Sequence, residues 1–312
     1  MENKKEDKYF YSIHNYIIIS ENPFQIAMII HNKILTYEIN LTDLSFSKKK
    51  EIEIPDEILT IERIPLNNDI IIVGKTNKTI YYISSKDNEI KFTSICNKNL
   101  TSLFTINENN INYLLYADKV GEISIKKITQ DETKESFEKM GKIICGHSDS
   151  ITHFQISNDH KLLLSCDFFG KLKIYKFPNI FNVLSVIIYH DDDVKFVSFG
   201  NENDKCLIVL TKNFNVDIWS LYDFQMQKKE KIDDNVIYCN TLNKNNILLL
   251  QYQKNILMYS IDITHFCLCN KKEFKYDYNN EEKYIFFNNN DKIYLSIFNN
   301  KNELTKVVLI NV

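Results

Sequence analysis

Glycine and proline, which form many of the tight turns in proteins, are scarce in this chain. Only 6 Gly and 4 Pro occur among its 312 residues. Asn is abundant instead, and Asn and Asp tolerate the left-handed backbone conformation that many strand connections need. We therefore predict that the turns are built mainly from Asn and Asp.

Long apolar runs are also missing. No run approaches the length that a membrane-spanning helix needs, and the start, MENKKEDKYFYS, has no apolar signal region. The 7 Cys are scattered and odd in number, which indicates reduced thiols rather than a disulfide framework. These features predict a chain without a membrane partner in a nuclear or cytosolic compartment. We expect it in the nucleus, with the cytoplasm as the alternative.

Positive charge is not concentrated anywhere along the sequence. The formal net charge is −3, Arg63 is the single arginine, and the lysines are dispersed among carboxylates. Because nucleic-acid binding draws its strength from clustered Lys and Arg, this composition does not predict a protein that grips nucleic acid by itself. No Gly-rich strand-to-helix turn suggests a nucleotide cofactor, and no cofactor is expected on this chain.

A repeated unit is present in the middle of the chain. Gly146-His147 opens one unit and His190 opens the next, 43 positions later. Alternating strands close the two units at residues 171–176 and 214–219. This period is typical of a four-stranded propeller blade with a Gly-His opening and a Trp-Asp-like close. We predict an all-β, seven-bladed β-propeller of WD-repeat type, with residues 1–312 as a single domain and residues 1–8 as a flexible lead.

Short β-prone segments elsewhere fit the same period. Residues 9–19 are predicted to close the ring. Outside the repeated unit, strands are predicted at residues 24–30, 34–39, 58–64, 70–73, 79–84, 100–106, 111–117, 122–128, 236–242, 247–253, 256–262, 274–278, 284–287, 292–298 and 304–310. Three polar segments are predicted to lie outside strands: a loop at Lys48-Lys49-Lys50, a loop or short helix at 129–141, and a link at 223–231. Cys267 and Cys269 lack the second pair that a zinc site needs, so we expect them to be buried thiols.

The hydrogen-bonded set that locks a WD blade is incomplete in both units. The first unit offers His147 and Ser165, but Phe169 stands at the expected Asp position and Tyr175 at the Trp position. The second unit offers the following residues: Thr211, Asn213 and Trp219. We interpret His147 and His190 as partly satisfied locking residues rather than as catalytic groups.

The same region carries a resemblance to one family. Its ordered motifs are Ala117-Asp118-Lys119-Val120-Gly121, Gly146-His147, Asp159, Ser165-Cys166-Asp167, Lys171-Leu172-Lys173-Ile174, Phe177-Pro178 and His190. This set resembles the non-catalytic WD-repeat subunit of the tRNA (guanine-N7)-methyltransferase. That family shows an Ala-Asp-Lys-x-Gly-Asp turn, a Gly-His followed by a Ser, and an Asp-Arg-Asp turn before a Tyr-Pro.

One turn departs from the family pattern. The family Arg aligns with Phe168 and its second Asp with Phe169. Phe cannot make the charged or bidentate contacts of Arg, and the two rings are expected to pack between blades or to leave the docking to lysines. By strand alternation, Lys171 and Lys173 should point together, out of the inter-blade core. The candidate partner-binding residues are therefore Lys171, Lys173, Asp167, Phe168 and Lys119.

The resemblance implies a scaffold rather than an enzyme. It implies that the chain binds and stabilises the catalytic methyltransferase subunit in a heterodimer, for N7-methylguanosine formation in the tRNA variable loop. S-adenosylmethionine would be held by that partner, tRNA would be met mainly through the complex, and this chain would carry no catalytic or metal-binding residues. The alternative is a generic WD-repeat adaptor unrelated to tRNA. A hydrolytic propeller enzyme is disfavoured, because no motif for a nucleophile and base is present.

Overall fold

The computed structural model describes residues 16–310, except for short gaps. These gaps are 66–68, 75–77, 86, 97, 109, 132–133, 145–146, 158, 178–182, 189–192, 201–204, 233–237, 243–246, 252–254, 263, 276–282, 290–291 and 300–302. Residues 1–8, Gly146, Pro178 and His190, for which the sequence made predictions, lie outside the described part.

The described residues form 27 β-strands in seven antiparallel sheets, numbered here in chain order. The first three sheets comprise β1 (Tyr16–Glu21), β2 (Phe24–Ile30), β3 (Lys33–Ile39) and β4 (Phe46–Glu53); β5 (Ile58–Arg63), β6 (Ile70–Gly74), β7 (Thr79–Ile83) and β8 (Ile90–Ile95); and β9 (Leu100–Glu108), β10 (Ile111–Asp118), β11 (Glu122–Asp131) and β12 (Lys134–Ile144).

The remaining sheets follow the same order. They comprise β13 (Ile151–Ile156), β14 (Leu162–Asp167), β15 (Lys171–Lys176) and β16 (Val183–Ile188); β17 (Val194–Gly200), β18 (Cys206–Thr211), β19 (Asn215–Ser220) and β20 (Met226–Lys231); β21 (Tyr238–Leu242), β22 (Ile247–Gln251), β23 (Asn255–Asp262) and β24 (Cys267–Lys275); and β25 (Lys283–Asn289), β26 (Lys292–Phe298) and β27 (Leu304–Ile310). In every sheet the strands pair in sequence order, so each sheet is a meander.

Apolar clusters join each sheet to the next. Among the described residues, one cluster lies between each pair of consecutive sheets, and a further cluster joins the seventh sheet to the first. In that last cluster the rings of Phe24 and Phe287 stack with their centroids 4.7 Å apart. The sheets therefore form a closed ring in which both faces of a sheet are covered by its neighbours. The prediction of an all-β propeller is confirmed, while the number of blades in the complete chain stays a prediction.

Because neighbouring sheets cover both faces of a sheet, its central strands can be apolar on both sides, as the second sheet shows. All five residues of β6 and all five of β7 are buried. β-branched residues dominate β6, and such side chains pack well on a pleated surface. The first strands of consecutive sheets contact one another, which places them innermost around the ring axis. The fourth strands are consequently outermost.

Three polar segments were predicted to lie outside strands, and these predictions were wrong. Each segment lies wholly or mostly on the outermost strand of its sheet. Lys48-Lys49-Lys50 lies on β4, residues 134–141 lie on β12, and residues 226–231 form β20. An outermost strand has solvent along one edge and needs only one hydrogen-bonded neighbour. A polar sequence is therefore compatible with a strand at this position.

At the ends of the ring, one predicted boundary was wrong, and one predicted segment lies partly outside the described residues. Residues 16–19 of the predicted closing segment belong to β1, which pairs with β2 of the first sheet, and residues 9–15 lie outside the described part. Phe274, predicted to begin the seventh unit, lies on β24 of the sixth sheet. The apolar cluster between the first and seventh sheets holds the ring together in the described part of the chain.

The turns use Asp and Asn differently from the prediction. Among the described residues, left-handed backbone angles occur at residues of mixed type, including Phe214, Phe224 and Phe266, and at three Asn. Aspartates instead cap turns with their side chains, as Asp43 does when it accepts a hydrogen bond from the N–H of Ser45 at 2.9 Å.

Within the described residues, no helix is long and apolar enough to cross a bilayer. Five described cysteines are free thiols; Cys96, Cys166 and Cys206 are buried. Cys267 and Cys269 are only partly buried, so the expectation that both would be buried was wrong.

Candidate functional site: a turn surface on the third and fourth sheets

A buried hydrogen-bonded network lies at the start of the fourth sheet. His147 lies four residues before the start of β13. Ser165 and Asp167 lie two residues apart on β14, so that their side chains point to the same face. Nε2 of His147 is 2.7 Å from Oγ of Ser165, and Nδ1 is 3.1 Å from Oδ2 of Asp167. The blade lock is therefore more complete than the sequence indicated, because Asp167 supplies the acid that was expected at Phe169.

The charge of Asp167 is stabilised inside the protein. Burial alone would raise its pKa, but the hydrogen bond from His147 and those from the backbone N–H groups of Lys171 and Phe169 lower the pKa below its ordinary value. The two N–H groups lie 2.9 Å and 3.1 Å from Oδ1. An ionised carboxylate only accepts hydrogen bonds, so Nδ1–H of His147 donates to Asp167, and in the neutral tautomer Nε2 accepts from the Ser165 hydroxyl.

These three residues have the group types of a hydrolytic triad, but no substrate can reach them. Ser165 is 0% exposed, Asp167 1% and His147 6%. A nucleophile must meet the reacting atom of a substrate, and this hydroxyl is enclosed by protein. The neighbouring thiol of Cys166 is inert as well, because burial raises its pKa. The network therefore serves to hold the blade together.

The same acid also shapes the turn between β14 and β15. Oδ1 of Asp167 accepts the N–H groups of Phe169 and Lys171, while the N–H of Gly170 donates to the Asp167 carbonyl at 3.1 Å. Gly170 has φ +77°, a left-handed angle that suits glycine. Residues 167–170 thus form a tight turn whose base is buried in the blade.

The third sheet carries an equivalent turn between β10 and β11. Oδ1 of Asp118 accepts the N–H groups of Val120 and Glu122 at 2.9 Å and 3.0 Å. Gly121 has φ +84°, a left-handed angle that suits glycine, as at Gly170. The shared pattern Asp-x-x-Gly at 118–121 and 167–170 was the sequence signal for Asp167, and it was missed because the acid was sought at a fixed distance from Tyr175.

Gly121 also couples the two sheets. A Cβ at this position would lie 2.7 Å from both Cβ and O of His147, and 2.8 Å from the carbonyl oxygen of Asp149. The third-sheet turn therefore rests directly on the residue that anchors the fourth-sheet network. A side chain larger than hydrogen would push the two turns apart.

The tips of the two turns present apolar side chains to solvent. Phe168 and Phe169 are 57% and 61% exposed, and their rings meet edge to face with centroids 5.6 Å apart. Val120, which occupies the position equivalent to Phe169, is 56% exposed. The expectation that the two Phe rings pack between blades was therefore wrong. Clustered exposed apolar side chains on a rigid base are typical of a protein-docking site.

The predicted lysines are distributed unequally around this surface. Lys119 is exposed beside Val120, and Lys171 is half-buried at the start of β15. Lys173 is only 8% exposed, so the prediction that both lysines point out of the inter-blade core was wrong for Lys173. Strand alternation still puts both lysines on one face of β15, but neighbouring sheets cover both faces of this inner strand, so alternation did not predict exposure. The partner-binding roles of Lys119, Asp167, Phe168, Lys171 and Lys173 stay predictions.

The fifth sheet has a turn at the equivalent position, between β18 and β19. Phe214, at the position of Gly170, has φ +59°, and its N–H donates to the carbonyl of Thr211 at 3.0 Å. Nζ of Lys212 lies 3.2 Å from Oδ2 of Asp193. Trp219 packs against the apolar cluster between the fourth and fifth sheets. The role predicted for His190 cannot be placed, since it lies outside the described residues.

Comparison with known proteins gives one relative by sequence and a broad likeness by fold. No protein-family model matches the chain. The chain is 23% identical over 202 residues to the tRNA (guanine-N(7)-)-methyltransferase non-catalytic subunit wdr4 of Dictyostelium discoideum, a match that spans 60% of this chain and 43% of that protein. A solved structure described as a 6-phosphogluconolactonase of Bacteroides fragilis superimposes with a TM-score of 0.68 and 11% identity, covering 84% of each chain.

The two comparisons support different levels of description. The superposition supports the propeller fold and nothing further, because identity at that level does not carry an activity. The sequence match, although it spans less than half of the relative, links the chain to WD-repeat proteins. Together they support a β-propeller fold and a distant sequence similarity to a non-catalytic methyltransferase subunit.

Proposed function

We propose that this chain is a non-catalytic scaffold subunit that binds the catalytic subunit of a tRNA (guanine-N7)-methyltransferase. The observation that carries the proposal is the sequence similarity to a protein with that name, over 202 residues. In this proposal the partner holds S-adenosylmethionine and performs the methyl transfer, and the propeller keeps the partner in its active shape. The complex is located in the nucleus.

The turn surface of the third and fourth sheets supports this role physically. We define it by the following residues: Lys119, Val120, Phe168 and Phe169. Burying two Phe rings that are 57% and 61% exposed would remove apolar area from water, which is the main source of binding energy at an interface. The buried network of His147 and Asp167 holds the rings in place before binding, so little conformational entropy is lost on docking.

Charge contacts then have a secondary role. Lys119 is exposed and can meet an acidic side chain of the partner, whereas Lys173 is buried in the blade. Reversing the charge of Lys173 would therefore disturb the fold as well as any contact. The Phe pair is the sharper target, because its removal leaves the buried network unchanged.

The test is co-expression of the two chains, purification through a tag on the propeller, and an assay of the eluate for N7-methylguanosine in tRNA. We expect co-elution and activity above that of the catalytic subunit alone. The double substitution Phe168→Ser with Phe169→Ser should abolish co-elution. Ile95→Ser, which removes an apolar side chain 78% exposed on β8, is the matched control and should leave co-elution unchanged.

Failure of the wild-type chains to co-elute, with both folded, would favour the generic WD-repeat adaptor. That alternative predicts capture of other proteins by the same turn surface, without dependence on a methyltransferase. If Ile95→Ser reduced co-elution as strongly as the Phe double variant, the docking site would have to lie elsewhere on the ring.

A further inference from the structure

The outermost strands of the first and fifth sheets both carry three lysines, but their surroundings differ. On β4 each lysine has an acceptor: Lys48 pairs with Glu51, Lys49 with Glu38 at 3.0 Å, and Lys50 with the amide oxygen of Asn88 at 3.1 Å. Carboxylates therefore compensate the charges of Lys48 and Lys49, and a neutral amide oxygen holds the ammonium group of Lys50. Such lysines keep an edge strand soluble without creating a strongly positive surface.

On β20 the three lysines have no ion-pair partner among the described residues. Lys228, Lys229 and Lys231 are exposed, and no ion pair or hydrogen bond of the described residues involves their side-chain nitrogens. Asp217 lies opposite Lys229 in the strand register, but its side chain is buried in the blade. Glu230 accepts the N–H of Leu268 at 3.2 Å. The Glu230 carboxylate keeps its negative charge, but by strand alternation it points away from the face that Lys229 and Lys231 share. That face therefore presents two positive charges without an ion-pair partner in the described part of the chain.

An exposed aromatic ring precedes these lysines. Tyr222, in the turn between β19 and β20, is 97% exposed. The carboxylate of Asp223 beside it accepts the N–H of Gln225 at 3.2 Å, so it is engaged within the turn. Lys229 and Lys231 point to the same face of the strand, about 7 Å apart. A positively charged track that ends in a free aromatic ring has the two features by which proteins hold single-stranded nucleic acid.

We propose that β20 and the turn before it bind an unpaired segment of RNA, with Lys228, Lys229 and Lys231 on the phosphates and Tyr222 stacked on a base. The net charge of −3 does not oppose this, because charges farther away than about 8–10 Å are screened at physiological salt. An acidic protein segment would be attracted by the lysines too, but it would not need the aromatic ring. The choice of tRNA as the RNA rests on the proposed function. The proposal that β20 and Tyr222 bind unpaired RNA does not depend on that function.

The experiment measures binding of fluorescein-labelled tRNA to the purified full-length chain by anisotropy, in the absence of any methyltransferase and over a range of salt concentrations. Replacing Lys228, Lys229 and Lys231 together with Gln should weaken binding at least tenfold at low salt. The slope of log affinity against log salt should shrink by about two, since each phosphate contact on a single strand contributes about 0.7. The matched control replaces Lys48, Lys49 and Lys50 with Gln and should bind as wild type.

A second variant isolates the ring. Tyr222→Ala should lower affinity for a single-stranded RNA oligonucleotide about tenfold and leave binding of a fully paired RNA duplex unchanged. Absence of wild-type binding at low salt, or equal losses in the β4 and β20 variants, would overturn the proposal. If the wild-type chain bound polyglutamate as tightly as RNA, and Tyr222→Ala did not weaken that binding, the partner of β20 would be an acidic protein segment instead. Because no partner is present, these results are independent of the co-elution test.

Discussion

The turns of the third and fourth sheets share one backbone design but are anchored in different ways. In both, an Asp at the end of the second strand accepts two N–H groups of the turn, and a Gly takes the left-handed position. Asp118 faces Lys98, whose Nζ is 3.8 Å away and also pairs with Glu122 at 2.8 Å. Asp167 instead meets the buried His147 at 3.1 Å.

We expect the loss of Lys98 to affect the stability of its turn much less than the loss of His147 affects the stability of its own. Lys98 is 34% exposed, so water and salt compete with its ion pairs. His147 is enclosed, so its loss leaves a buried carboxylate without its main partner. The exposed Phe pair is carried by the turn with the buried anchor. A rigid base is what a docking surface needs if binding is not to lose energy in ordering the loop.

The largest effect is expected from His147→Ala. The substitution removes the hydrogen bonds to Ser165 and Asp167 and leaves the charge of Asp167 buried, and we expect a loss of about 3 kcal/mol in the free energy of unfolding. Urea denaturation followed by circular dichroism measures it. An unchanged urea midpoint would show that the network does not hold the blade.

Lys98→Ala is the matched comparison on the third sheet. It removes an ion pair to an equivalent Asp, but the pair is partly exposed, so we expect a loss below about 1 kcal/mol that shrinks further at high salt. A loss as large as that of His147→Ala would erase the distinction between the two anchors.

The next effect in size is expected from Gly121→Ala, which tests the coupling between the turns. The new Cβ would meet both Cβ and O of His147 at 2.7 Å, and an L residue is strained at φ +84°. We expect a destabilisation of about 2 kcal/mol, measured by urea denaturation. The control is Val120→Ala, one residue earlier, which is exposed and should change stability by less than about 0.5 kcal/mol. Equal stability of wild type and Gly121→Ala would mean that the two turns can separate without cost.

The inner part of the fold could be read from the sequence, and the outer part could not. β6 was predicted at residues 70–73 because four consecutive β-branched residues leave no alternative to a strand buried on both faces. β4 and β20 were missed because their polar residues satisfy an edge strand and a loop equally well. Only the meander order of the sheets distinguishes the two.

The sequence contains the signal for the two turns of the candidate site, but it did not predict which of their side chains are exposed. The repeat of Asp-x-x-Gly at 118 and 167 is visible in the sequence, yet the hydrogen bond between Asp167 and His147 joins residues 20 positions apart and depends on the fold. Phe168 and Phe169 were expected to pack because apolar residues usually do. Their positions at the tip of the turn between β14 and β15 put them in solvent.

The smallest expected effect is a change of stability with pH. It tests the difference between the buried His147 anchor and the partly exposed Lys98 anchor while the Asp167 carboxylate stays in place. The pKa of Asp167 is lowered in the folded protein, so its contribution to stability is present above the unfolded value of about 3.9 and is lost as pH falls through the lower folded value. Without His147 the carboxylate loses a donor, its folded pKa moves up toward the unfolded one, and less stability remains to be lost on acidification. We therefore expect the difference in unfolding free energy between wild type and His147→Ala to narrow between pH 5 and the acid limit of the native state. Urea midpoints of both variants over this range, with Lys98→Ala alongside, measure the narrowing. A constant difference between wild type and His147→Ala would mean that the histidine acts only through packing, and that the charge of Asp167 is held by the turn N–H groups alone.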